Sequence, residues 1–268
     1  MRWQARSDLN VPAHGVGTMA NAVRLYGGLA LLAAMCLLTS ALILPGTLLL
    51  RRQRRRMFAR GLISALFRQY LGAMSAVNGL RLDLTALDAL RDGPAVLIAP
   101  NHPSMIDAAL VLSRLPDVTC VMKADILDNL LFGWGARTAG YITNDPPRSM
   151  LRAAVQRLRE GHHLLLFPEG TRTVQTPLNP VQRTVGIIAR HAGVPVQAVI
   201  IETNSAFLGK GWPLSRIPAM PMVYKVRLGR RFDPPRDADA FTSELEAYFQ
   251  SELATARLPV FPIHAGSR

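Results

Sequence analysis

The chain has 268 residues, room for one domain of about 200 residues and an extension. Its 31 Lys and Arg against 18 Asp and Glu leave a formal net charge of +13, which disfavours cationic partners and points to nucleic acid or membrane lipid. The two cysteines, Cys36 and Cys120, lie in unlike surroundings, which excludes a disulfide framework, and no zinc-ligand spacing occurs.

Residues 1–24 form a polar segment with scattered Gly and Pro and no fold signal, within which Met19 is a second candidate start. From Leu25 to Leu50 there is no charged side chain. About 20 helical residues span a hydrocarbon core, so residues 25–50 are expected to form a transmembrane helix or a re-entrant insertion, stopped or kinked near Pro45-Gly46. The run Arg51-Arg52-Gln53-Arg54-Arg55-Arg56 follows at once, whereas the preceding flank holds only Arg2, Arg6 and Arg24, partly offset by Asp8. The positive-inside rule then places residues 51–268 in the cytoplasm. A cleaved signal peptide fits poorly, because the apolar run is too long and ends in arginines rather than at a small-residue cleavage site. Next to a membrane segment, the arginines suit an anionic leaflet at about 1 kcal/mol each. No aromatic-rich motif accompanies them, so lipid is favoured over nucleic acid. Residues 51–76 are expected to be a basic interfacial helical segment. Within it Phe58, Leu62, Leu66 and Tyr70 recur at helical intervals around Arg60 and Arg68, as in an interfacial or a core-packing helix.

Residues 77–268 read as one α/β domain. Strands are expected at 95–100, 118–122, 140–143, 163–167, 194–202 and 223–232, and helices at 107–115, 149–160, 181–192 and 237–256, the last ended by Pro259. Residues 129–135, with Leu130, Leu131, Phe132 and Trp134, form an apolar patch that either dips into the membrane interface or packs as core, with core slightly favoured. The stretch 206–222, rich in Gly and Pro around Trp212, reads as an irregular loop, a lid or a membrane contact. His162 and His163 have no carboxylate or thiol at ligand spacing, so they are expected to be structural and no metal site is expected. His191, before Gly193, suits the end of a helix.

Two polar islands interrupt this pattern. The continuous apolar run 95–100 stops at Asn101-His102-Pro103-Ser104-Met105-Ile106-Asp107, and the run 163–167 stops at Phe167-Pro168-Glu169-Gly170-Thr171-Arg172. Unbroken apolar runs suit strands buried on both faces, and ligands bind where such strands end. If the first loop turns back, the Asp107 carboxylate can hold one imidazole nitrogen of His102 while the other accepts a substrate proton. No Ser or Cys nucleophile in an elbow such as Gly-x-Ser-x-Gly is evident, so the proton would come from the substrate rather than from an enzyme hydroxyl, and a covalent intermediate would be avoided.

The ordered pair His102-x-x-x-x-Asp107 and Phe167-Pro168-Glu169-Gly170-Thr171-Arg172 resembles the bacterial 1-acylglycerol-3-phosphate acyltransferase family, over about residues 80 to 205. The resemblance implies a mostly parallel central sheet flanked by helices, with acyl transfer from a coenzyme A or acyl carrier protein thioester to a lipid hydroxyl. No other cofactor is implied. His102 would be the general base, with Asp107 orienting it and backbone donors steadying the oxyanion. Glu169, Gly170, Thr171 and Arg172 would line the acceptor site, with Arg172 as a planar fork for phosphate. Lys123 matches a family lysine that can meet an anionic headgroup, and Val194-Pro195-Val196 fits the last family block. With the apolar segment, the resemblance places the chain as a single-pass protein of the bacterial inner membrane.

One block departs from the pattern. In Gly140-Tyr141-Ile142-Thr143-Asn144-Asp145, Asn144 stands where the family carries a phosphate-contacting arginine. A charge-assisted bond is lost there, so an acceptor without phosphate also fits the chain. The run is similar to one in acyltransferase-like proteins of aryl-polyene or xanthomonadin clusters, whose acceptor would be a polyene-related lipid. A hydrolase using water in place of the acceptor competes with acyl transfer, as does a non-catalytic membrane scaffold of a lipid-biosynthesis complex.

Overall fold

The computed structural model describes residues 19–129 and 133–255. Residues 1–18 of the polar segment, Leu130, Leu131 and Phe132 of the apolar patch, and Pro259 lie outside the described residues.

Among the described residues, seven strands form one sheet in the order β1-β7-β6-β2-β5-β3-β4. They are β1 (Leu80–Asp83), β2 (Leu97–Pro100), β3 (Thr119–Met122), β4 (Ile142–Thr143), β5 (Leu164–Leu165), β6 (Val196–Thr203) and β7 (Met222–Phe232). Every pairing is parallel except β6 with β7, as expected of a mostly parallel sheet. All residues of β2 and β6 are buried, which is why those segments read as unbroken apolar runs. Successive β2 side chains enter opposite cores: Val96 and Ile98 join the cluster under α2 (Arg52–Ala76) and α3 (Asp107–Arg114). Leu97 and Ala99 join the cluster under α6 (Pro147–Arg159), α7 (Thr184–Ala192) and α8 (Ala238–Ala254). β1 and a 3₁₀ turn at Thr85–Leu90 precede the first strand expected from the sequence; β1 has only four residues and no long apolar run to mark it.

The amino-terminal helix α1 (Met19–Leu49) begins six residues before the expected apolar segment and continues through Pro45. It is long and apolar enough to cross a membrane. It also packs along the domain, folding back on α2 as a helical hairpin. Leu25, Cys36 and Ile43 lie on its buried stripe, while Leu31, Leu37, Leu38, Leu42 and Leu44 face outward. A short helix α4 (Ala124–Leu127) leads to α5 (Gly133–Ala139), which buries Gly133, Gly135, Ala136 and Ala139. Gly135 presents its small face to Ile43 and Ile63, and this turns Trp134 outward, 48% exposed. The expectation that Trp134 packs in the core is therefore corrected: the small residues make the contact.

Helix α2 carries a charge into the interior. Arg60 is 1% exposed, donates from Nε to the Ala139 carbonyl at 2.9 Å, and pairs through Nη1 with Asp117 at 3.1 Å. Asp117 also meets His162 Nδ1 at 3.0 Å. This link ties the hairpin to the turns before β3 and β4, so Arg60 is a buried tether rather than part of a solvated basic face. His163 Nδ1 accepts the Val96 N–H at 3.2 Å, and His191 Nδ1 bonds the Ile187 carbonyl one helical turn earlier at 2.8 Å, both structural roles as expected.

Asp117→Ala leaves the Arg60 guanidinium buried without its carboxylate and is expected to destabilise the fold by about 2–3 kcal/mol. Arg60→Met, which keeps the apolar stem, should cost less. Denaturant titration in detergent checks both, and wild-type midpoints for the pair would deny the tether any weight.

Candidate active site

Strands β2 and β5 are direct neighbours, so the two polar islands leave the same edge of the sheet side by side. The first turns back within one bend. His102 Nδ1 lies 2.9 Å from Asp107 Oδ2, the first residue of α3, and the same oxygen accepts the Ser104 N–H at 2.7 Å. An ionised carboxylate only accepts, so the imidazole donates from Nδ1 and Nε2 is left as the acceptor nitrogen. Asp107 is fully buried; burial pushes its carboxyl above the usual carboxylate range, opposed by the bond and charge of His102.

Glu169 fastens the second island to the first. Oε1 accepts the His102 backbone N–H at 2.7 Å and the Thr173 hydroxyl at 2.9 Å, while Oε2 accepts the Asn179 N–H at 2.9 Å. The Thr173 N–H returns the link to the His102 carbonyl at 2.7 Å. Burial raises the Glu169 carboxyl, and these donors oppose it. Sequence reasoning puts Glu169 on the acceptor; both its oxygens are taken by the protein, so its present work is to hold the two loops together. The Phe167 ring stacks on the His102 ring with centroids 3.8 Å apart. Neither that stacking nor the clamp through Thr173 and Asn179 has a spacing signal in the chain; they arise only because β2 and β5 pair.

Gly170 has φ +67°, a left-handed conformation that favours glycine, and an added Cβ would meet Gln182 Cγ at 3.3 Å. Arg172 donates from Nη1 to the Leu208 and Gly209 carbonyls at 2.8 and 3.0 Å. The expected phosphate fork therefore spends one nitrogen pinning the 206–222 stretch across the site. Ser104 Oγ donates to the Phe207 carbonyl at 2.8 Å and the Met105 N–H to Leu208 at 3.1 Å, completing that closure. The irregular segment is thus a fastened cover, with Trp212 set edge-on to the buried Phe207.

A cavity of about 980 Å³ opens beside these residues. His102, Lys123, Asn144, Glu169, Gly170, Thr171 and Arg172 all stand on its wall, so the structure brings the sequence-selected residues to one space; Asp107 is behind His102. The far wall comes from the hairpin, with Leu25, Leu29 and Leu32 of α1 and Phe67, Tyr70 and Met74 of α2. The cavity is therefore polar at the strand ends and apolar towards the hairpin. No group of three metal-ligating side chains occurs among the described residues.

The chain is similar to known proteins in sequence and in fold. The Acyltransferase family model matches residues 81–202. A lyso-ornithine lipid O-acyltransferase of Rhodobacter capsulatus is 32% identical over 114 residues, 41% of this chain and 40% of that protein. This chain thus spans well under two thirds of that relative. A 1-acyl-sn-glycerol-3-phosphate acyltransferase of Pseudomonas aeruginosa is 23% identical over 193 residues, 70% of this chain and 73% of that protein. The crystal structure of the 1-acyl-sn-glycerophosphate (LPA) acyltransferase of Thermotoga maritima superposes with a TM-score of 0.70 at 17% identity, covering 90% of this chain and 98% of that one, a likeness of fold. Residues 81–202 are thus similar to the Acyltransferase family, and the chain shares the fold of a solved acyltransferase.

Proposed function

We propose that this protein is a membrane-associated O-acyltransferase that moves a fatty acyl group from a coenzyme A or acyl carrier protein thioester to a lysolipid hydroxyl. The observation that carries the reading is His102, held at Nδ1 by a buried carboxylate and standing on the wall of a cavity that is apolar on its other side. His102 Nε2 takes the hydroxyl proton as the oxygen attacks the thioester carbonyl. Collapse of the tetrahedral intermediate breaks the C–S bond, the thiolate leaves with the proton from the imidazolium, and an ester and a free thiol result. Asp107 keeps the ring oriented and stabilises the imidazolium while it exists.

The apolar wall suits acyl chains, and Lys123, Thr171 and Arg172 suit a polar headgroup. Asn144 at the family's arginine position, together with the lyso-ornithine lipid acyltransferase among the relatives, favours an acceptor headgroup without phosphate. The outward leucines of α1 suit a lipid environment, and the run 51–56 suits anionic headgroups of the cytoplasmic leaflet. Mass spectrometry of lipids made by purified protein from a panel of acyl thioesters, lysophosphatidate and phosphate-free lysolipids tests the reading. Acylation of lysophosphatidate alone would reverse the acceptor preference, and transfer to water alone would make the protein a hydrolase.

His102→Ala is expected to lower turnover by about 10²- to 10⁴-fold with the fold and membrane fraction unchanged. Wild-type rates in that variant would remove the imidazole from the mechanism.

Asp107→Asn separates chemistry from stability. Burial raises the folded-state Asp107 carboxyl above its ordinary value of 3.8, so the folded chain holds that proton more tightly and stability falls as pH rises from that value through the raised one. Asparagine can keep its oxygen toward His102 and Ser104 without burying a charge. The variant should match or exceed wild-type stability at neutral pH, lack that part of the acid dependence, and still lose about 10²-fold or more in turnover. Thermal unfolding across pH, alongside activity, checks the split; a large stability loss at neutral pH would contradict it.

A further inference from the structure

Four side-chain polar atoms among the described residues are buried without a hydrogen-bond partner: Arg60 Nη2, Asp107 Oδ1, Glu202 Oε2 and the Tyr224 hydroxyl. Arg60 and Glu202 make ion pairs through their other atoms, with Asp117 and Arg227. The remaining two belong to one place. Tyr224 is wholly buried on β7, in register with Thr203 of β6 on one side and Leu82 of β1 on the other. Its phenol lies beside the Ser104 and Thr203 hydroxyls, without a well-formed hydrogen bond to either, and within reach of the Asp107 charge. Ser104 is also the residue whose N–H holds Asp107 Oδ2. The phenol end therefore lies against the turn that carries His102 and Asp107.

A phenylalanine would fill the same space without burying a polar atom, so the hydroxyl calls for a partner. A carboxylate oxygen accepts only and a phenol can donate, so Asp107 Oδ1 and Tyr224 are complementary. We propose that Tyr224 is a positioning residue for the His102–Asp107 pair, its hydroxyl supplying the hydrogen bond to Asp107 Oδ1 through a small rotation or one bridging water. Tyr224 never meets substrate; it acts through Asp107. It lies outside the matched family domain, on the strand that closes the sheet antiparallel to β6. The proposal rests on His102 acting as the general base.

Among the described residues, few charged groups surround the pair. His102 and Arg172 act on Asp107 from the two polar islands, Glu169 faces His102, and Tyr70 of α2 faces Tyr224. Burial pushes both tyrosines up, so they stay neutral donors near neutral pH. A donor on the carboxylate stabilises the deprotonated pair, so removing it raises the pair's affinity for a proton.

Tyr224→Phe tests this with two readings: the acid limb of kcat/KM for acyl transfer, and NMR titration of the labelled His102 ring in detergent micelles. The pH at which the pair takes up its proton should move up by roughly half to one unit, and kcat should fall about 3- to 10-fold with the acceptor KM unchanged. Replacement of Tyr224 by 3-fluorotyrosine, a stronger donor of nearly the same shape, should move the midpoint down and covers the case in which the phenylalanine variant fails to fold. A midpoint unmoved by the substitutions that fold would overturn the proposal and leave Tyr224 as packing. Wild-type activity in His102→Ala would instead overturn the general-base reading, while the NMR titration still reads the Tyr224 contact.

Discussion

A single buried carboxylate holds the site together. Glu169 collects the His102 backbone N–H, the Thr173 hydroxyl and the Asn179 N–H, groups from two loops that are distant in the chain. A buried charge is costly unless hydrogen-bonded, and here three donors serve it, two on Oε1 and one on Oε2. The position of the His102 backbone is thus set by a residue 67 places later in sequence. The ring is fixed in turn by Asp107 at one nitrogen and by the Phe167 face. If Glu169 moved, the ring, the carboxylate behind it and the cavity wall would lose their common frame.

From that frame the molecule extends in two directions. Arg172, Ser104 and Met105 fasten the start of the 206–222 segment at the strand ends by bonds to the Leu208, Gly209 and Phe207 carbonyls, so an irregular stretch is held at the cavity wall. On the other side the α1–α2 hairpin supplies an apolar wall and is anchored through Arg60 to the turns before β3 and β4. The polar and apolar halves of the cavity therefore come from different layers of the fold, an arrangement complementary to an amphipathic ligand.

The electrostatics follow the same division. Asp107 and Glu169 are both buried and both destabilised as anions by that burial, yet both face His102. The cost is met differently in each: Glu169 is offset by donors from both loops, and Asp107 by His102 and the Ser104 N–H. Most of the excess positive charge lies elsewhere, in the run 51–56 and on exposed helix faces.

The sequence alone determined the α/β class, the long apolar helix, the two polar islands and the His102–Asp107 pairing. Each rests on a local signal: an unbroken apolar run for a strand buried on both faces, an uncharged stretch for the helix, a five-residue spacing that one bend can close. Sequence did not determine which groups serve those islands from afar. The filling of both Glu169 oxygens, the Phe167 stacking, the commitment of one Arg172 nitrogen to Leu208 and Gly209, and the approach of Tyr224 to Asp107 depend on strand order and on the antiparallel return of β7. Trp134 shows the same limit: its hydrophobicity suggests the core, but small neighbours fit the helix contact better and turn it outward. Pattern along a chain records which face of an element is buried; which residues meet across the interior is decided only when the elements pack.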